Sequence, residues 1–262
     1  MSKNSKENKE SLNEDKYKDK AIRFLDKNDH YELIFMDDFN DPTSGGDGWK
    51  AETTIVDVVT DMKEANKDKE LHIFVGSYGG SVTCLNLLIM QITQFKHVVG
   101  INMGYACSCG FMVLSYCHEI YASPFAMFLF HSMSRLSWGK IAENKNITQF
   151  DEKWWKMLVE GGRTKQMLTP EELKLGETSE VWLTGEDLMK RGVVFPFELY
   201  AKRSVLTPNT TEFFTVGNDV YRREGSSFQR YVKDTRSKNR KLRYTDIVMK
   251  NFNENLMKIS ED

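Results

Sequence analysis

The stretch from Leu71 to Phe95 reads LHIFVGSYGGSVTCLNLLIMQITQF. Its opening LHIFV is a short apolar run of strand length and composition. Beyond Gly79-Gly80 the period changes: Leu85, Leu88, Ile89 and Ile92 recur at helical spacing and make one apolar face. Strand, glycine turn and helix in that order form one βα unit. The same order flanks it. Tyr31–Met36 and Val98–Met103 are further expected strands, and the 50–66 segment carries Ile55, Val58, Val59 and Met62 at helical spacing. Strands alternating with helices of this length predict parallel βαβ units and an α/β fold.

Composition bounds the rest. The chain has 262 residues, 40% hydrophobic, enough for a core that needs neither disulfide nor metal. Thirty-six basic against 38 acidic residues leave a net charge of −2, which excludes a globally basic nucleic-acid binder. Cys84, Cys107, Cys109 and Cys117 lie in apolar stretches with no zinc-like spacing, so free thiols in a reducing compartment are expected, with no metal and no cofactor. The N-terminal twenty residues lack the apolar stretch of a signal peptide, and nothing approaches the roughly 20 apolar residues of a membrane span. A cytoplasmic protein is expected.

Three regions follow by composition. Residues 1–20, almost all polar, read as a disordered charged tail. Residues 21–199 read as the α/β domain, with a helix at Ser108–Tyr116, strands at His118–Ala122 and Ala126–His131, and an exposed helix at Gly139–Gly161 bearing Trp154, Trp155 and Leu158. Thr169 and Thr184 are expected N-caps. Residues 200–262 read as a C-terminal extension: strands Thr211–Val216 and Val220–Arg223 flank Gly217-Asn218-Asp219, a basic run covers 222–243, and an amphipathic helix is expected over Tyr244–Ile259. The basic run reads as solvated surface.

Three places depart from ordinary core chemistry. Ser77-Tyr78-Gly79-Gly80-Ser81 lets the backbone turn sharply and leaves amides able to face a ligand, although a structural turn would use the same glycines. Ser108, within GYACSCG, stands at a helix start, where a serine either caps the helix or offers its hydroxyl near the positive end of the dipole. His131 ends the apolar run AMFLFH. Of the five histidines, only His131 follows Ser108 by the strand pair needed to return the chain to the same end of a sheet. Serine needs such a base, because its hydroxyl is a poor nucleophile at neutral pH.

In order and spacing, SYGGSV, GYACSCGFM, MFLFHS and WLTGEDLMKRGVVF resemble the proteolytic subunit of the Clp protease family, from about Leu33 to Val194. The resemblance implies a crotonase-like spiral of ββα units, assembled as a homo-oligomeric ring around a degradation chamber. It implies a serine endopeptidase acting on unfolded polypeptides, with an ATPase unfoldase as an optional partner and neither membrane nor nucleic acid. Carried over, Ser108 is the nucleophile, His131 the base, and the amides of Gly79 and Cys109 the oxyanion hole. Peptide adds as a strand along Gly80 and Ser81, and residues 139–161 match the family's projecting helix. The family's aspartate falls on Glu180, its preceding arginine on Ser179, its loop proline on Tyr78 and its methionine on Cys109. Two other readings are open: a catalytically inactive ring or scaffold subunit, and an acyl-CoA enzyme of the crotonase superfamily.

Overall fold

The computed structural model describes residues 22–36, 39, 55–134, 140–202, 211–216, 219–224 and 227–231. The expected tail, the C-terminal helix and the later part of the basic run lie outside them. The chain divides into two compact units, parting between Tyr200 and Ala201.

In the first unit, β1 (Ile22–Asp26) and β2 (His30–Phe35) form an antiparallel hairpin. Then come α1 (Ile55–Glu64), β3 (Glu70–Ser77), α2 (Val82–Ile92) and β4 (Val98–Cys107). They are followed by α3 (Cys109–Ser115), β5 (Glu119–Ala122) and β6 (Met127–Phe130). Next are α4 (Ile141–Gly161), α5 (Thr164–Met167), α6 (Pro170–Leu175) and β7 (Val181–Thr184). The last are α7 (Gly185–Lys190), β8 (Phe195–Pro196) and α8 (Phe197–Lys202), the last of which runs past the division. The eight strands make one sheet in the order β1-β2-β3-β4-β5-β8, with β6 joined to both β4 and β7. From β2 through β5 the pairing is parallel, as the alternating pattern predicts. Leu33, Ile73, Val75 and Val98 bring their side chains into the core, where Leu85, Leu88 and Ile92 of α2 and Met62 of α1 cover them.

β4 carries the feature that builds the site. Its first half, Val99–Asn102, pairs with β5; its second half, Tyr105–Cys107, pairs with β6. The change of neighbour falls at Gly104, whose φ of 135° is a glycine conformation. Asn102 spans the gap. Its buried amide donates to the Met127 carbonyl at 2.9 Å and accepts the Gly104 N–H at 2.9 Å, pairing backbone groups the ladder leaves over.

Thr169 and Thr184 do cap their helices, each closing a capping box with the acidic residue three positions on. The 139–161 expectation needs correction in one respect. Leu158 is buried, and Trp154 and Trp155 pack partly against the unit's own core, so it is Ile147, Phe150 and Met157 that α4 leaves exposed. β1 and β7 were not expected from the sequence.

In the second unit, β9 (Thr211–Val216), β10 (Asp219–Glu224) and β11 (Ser227–Tyr231) form an antiparallel meander. Among the described residues no helix is long and apolar enough to cross a membrane, and no cluster of His, Cys, Asp and Glu could hold a metal ion.

Candidate active site

Ser108 occupies the step from β4 into α3 with φ 52° and ψ −114°. Among the described residues it is the only non-glycine with positive φ. Such a conformation costs on the order of 1–3 kcal/mol and persists only where the surroundings impose it. Two hydrogen bonds do so here: the Ser108 N–H donates to Leu129 O at 2.8 Å, and the Ser108 carbonyl accepts from Met112 N at 3.0 Å. The hydroxyl, however, makes no capping bond to the helix. A sharp strand-to-helix turn that presents a serine hydroxyl without using it as a cap is the geometry of a nucleophile elbow.

The bond from Ser108 to Leu129 also ties the serine to β6, two residues before His131. Cys107 pairs with Leu129 in the parallel ladder, so Ser108 and His131 emerge at neighbouring strand ends. His131 is half-buried, and its Nδ1 lies 2.6 Å from the Ser132 carbonyl. A carbonyl only accepts, so in this contact Nδ1 is the donor. A cavity of about 820 Å3 is lined by Phe130, Ser132, Met133, Asp151, Trp155 and Glu177 among others, and neither His131 nor Ser108 lines it.

Gly79 lies against the serine: a Cβ built on it would stand 2.6 Å from Ser108 Cβ, and its φ is 112°. Its N–H, though, donates to Ser77 Oγ at 3.1 Å, so in this conformation the expected oxyanion amide is engaged within its own turn. Cys109 opens α3, where the first backbone N–H groups have no helical partner. Its thiol is buried, donates to Gly80 O at 3.2 Å and is pushed up to about 12, chiefly by burial. It is therefore a neutral tether between the helix start and the glycine turn.

Ser81 differs from expectation. Its hydroxyl caps α2 by accepting from Cys84 N at 3.4 Å, and its N–H donates to Phe39 O at 2.6 Å. Phe39 N in turn donates to Gly79 O at 2.6 Å. This edge of the 79–81 segment is thus filled by the chain itself. In an extended segment alternate residues turn to opposite edges, so an added peptide would meet Gly80 on the other one.

Glu180 is not brought into contact with His131. Its exposed carboxylate accepts from Trp182 Nε1 at 2.9 Å, and among the described residues no carboxylate forms an ion pair with His131. β6 and β7 pair as Met127↔Thr184, Phe128↔Leu183, Leu129↔Trp182 and Phe130↔Val181, and His131 and Glu180 are the next residues of the two chains beyond the last pair. Asn102, which clamps β6 onto β4, was missed from the sequence. A polar residue inside an otherwise apolar strand was the available signal.

The fold and this site define an α/β protein with a strained serine at one strand end and a histidine at the next. A family model described as Clp protease matches residues 47–196, more than half of the chain and all of the segments just described. The chain belongs to the Clp protease family. No curated protein matches the sequence.

Proposed function

We propose that the chain is a serine endopeptidase of the Clp type, hydrolysing peptide bonds in unfolded polypeptides. The observation that carries this is Ser108, held at positive φ with its hydroxyl withheld from the helix it precedes. Strain of this kind has no structural benefit at a helix start, where a relaxed serine would cap.

On this reading Ser108 Oγ attacks the scissile carbonyl while His131 Nε2 takes the hydroxyl proton. The carbonyl oxygen becomes an oxyanion facing the amides of Cys109 and, once freed from Ser77, Gly79. The tetrahedral intermediate collapses, the C–N bond breaks, and the proton on Nε2 passes to the leaving amine. Water, deprotonated by the same nitrogen, then releases the acyl group from Ser108. Glu180 orients the imidazolium, and Gly80 aligns the peptide as an added strand. No cofactor enters this chemistry. The α/β unit is proposed to be a crotonase-like spiral that assembles as a homo-oligomeric ring in the cytoplasm, fed by an ATPase unfoldase, with residues 200–262 as an added extension.

A fluorophosphonate probe with peptide mass mapping tests this. Modification of Ser108, abolished in Ser108→Ala, is the expected outcome. An unlabelled Ser108 in the assembled protein would instead favour an inert ring subunit, the reading that the Glu180–Trp182 contact supports.

A further inference from the structure

We propose that Trp182 is a positioning residue that holds Glu180 off His131, so that exchange of one hydrogen bond sets the competence of the site. The inference rests on the proposed function and concerns how that site is switched.

Two observations meet at Glu180. The first is register: the β6–β7 ladder ends at Phe130↔Val181, so His131 and Glu180 leave it side by side as the next residue of each chain. Directly opposed residues of an antiparallel pair share a face of the sheet, with Cβ atoms about 4.5–5.5 Å apart. The second is that residues two apart on a strand also share a face. Glu180 therefore has two donors within reach, the imidazole Nδ1–H across the ladder and the Trp182 indole N–H along its own strand. It takes the indole, at 2.9 Å, and His131 Nδ1 turns to the Ser132 carbonyl, at 2.6 Å. Each group is satisfied, yet the pairing between strands is unmade.

Neither bond is locked. Glu180 is exposed and Trp182 is 54% exposed, so both side chains can change rotamer without disturbing the core. The chain leaves the ladder just beyond, where the Ser132 N–H donates to Gly176 O at 2.6 Å and Ser132 Oγ donates to Glu177 O at 3.1 Å. That departure carries the Ser132 carbonyl into its place beside the ring. In the exchanged state a carboxylate would replace a neutral carbonyl at Nδ1, which favours the imidazolium formed during reaction. The indole N–H would then face water, where its loss of a partner costs little.

The experiment is a double-mutant cycle on the full chain between Trp182→Phe and Glu180→Gln. Phenylalanine keeps the ring and removes the N–H. In the Glu180 background, Trp182→Phe should raise kcat for a small peptide by about threefold to tenfold with KM unchanged, the size of one hydrogen bond. In the Glu180→Gln background it should change kcat by less than about twofold. A second readout does not require turnover: the His131 Nδ1–H proton resonance should move downfield in Trp182→Phe and return in the double variant. Equal effects in both backgrounds, or an unmoved resonance, would overturn the proposal. If Ser108 takes no probe in any variant but the resonance moves as expected, the positioning role stands and the peptidase reading fails.

Discussion

At the scale of single residues, the turn around Ser108 tolerates little. Gly79→Ala would put a methyl carbon 2.6 Å from Ser108 Cβ at a φ that L residues rarely adopt. We expect at least a hundredfold loss of probe labelling at Ser108, with circular dichroism little changed. A fully labelled variant would show that the close approach is dispensable. Cys109 gives the opposite expectation. With its thiol pushed up to about 12 and donated to Gly80, it should resist iodoacetamide in the native protein and react once the chain is unfolded. Rapid native alkylation at Cys109 would mean that the tether opens. The position of Ser108 was legible in the sequence because a serine between a strand and an apolar helix has few roles. Its backbone strain was not, since φ is set by contacts with Leu129 and Met112 that no local pattern announces.

Among the elements, β6 is joined to β4 by the ladder at Tyr105–Cys107 and, through a side chain, by Asn102. Asn102→Leu preserves size but strands the Met127 carbonyl and the Gly104 N–H. A cost of about 1–3 kcal/mol in stability follows, with disproportionate loss of probe labelling because β6 carries His131. Chemical denaturation checks the first figure. If labelling falls only in step with the folded fraction, Asn102 is merely structural. Periodicity exposed α1, α2 and the parallel strands, since each buries a stripe several residues long. β7 is only four residues, VWLT, with one face exposed, and nothing in its own pattern marks it as a strand. Glu180 could be nominated from family spacing, but its partner could not, because a choice between Trp182 and His131 depends on rotamers. The edge of the glycine turn was likewise misjudged: the occupant, Phe39, lies forty residues upstream, beyond the reach of any local rule.

For the whole molecule, stability should depend on pH through two histidines of opposite sense. Burial, with His97 and Arg163 nearby, holds the His118 imidazole below the ordinary histidine range. Its contribution is therefore complete above about pH 6.5 and declines as pH falls below that value. His30 is raised, mainly by its hydrogen bond to Glu32 and then by Asp29, so its contribution is present below about pH 6.5 and is lost as pH rises through its elevated value. Thermal midpoints across pH 5–8 should thus lose their acid limb in His118→Gln and their alkaline limb in His30→Gln. Unaltered profiles in both variants would assign the pH dependence to other groups. In the proposed homo-oligomer, the exposed Ile147, Phe150 and Met157 of α4 would supply the apolar contact surface, so light scattering should show species well above 30.4 kDa that Phe150→Glu disperses.

The divided strand β4 has a consequence for motion. Its first half is clasped between β3 and β5, while its second half holds β6 and, through it, β7, and keeps β3 at the single pair Ser77↔Ala106. The serine and the histidine both hang from that second half, past the glycine where the ladder changes partner. With one β3 pair against the four of β5 and four more of β3 at its root, the end bearing Ser108 should open as a separate foldon while the root of the strand stays shut. Amide exchange should read it directly, with the N–H groups of Phe128–Phe130 and Val181–Leu183 trading with deuterium in one cooperative step, well before those of Val99–Asn102.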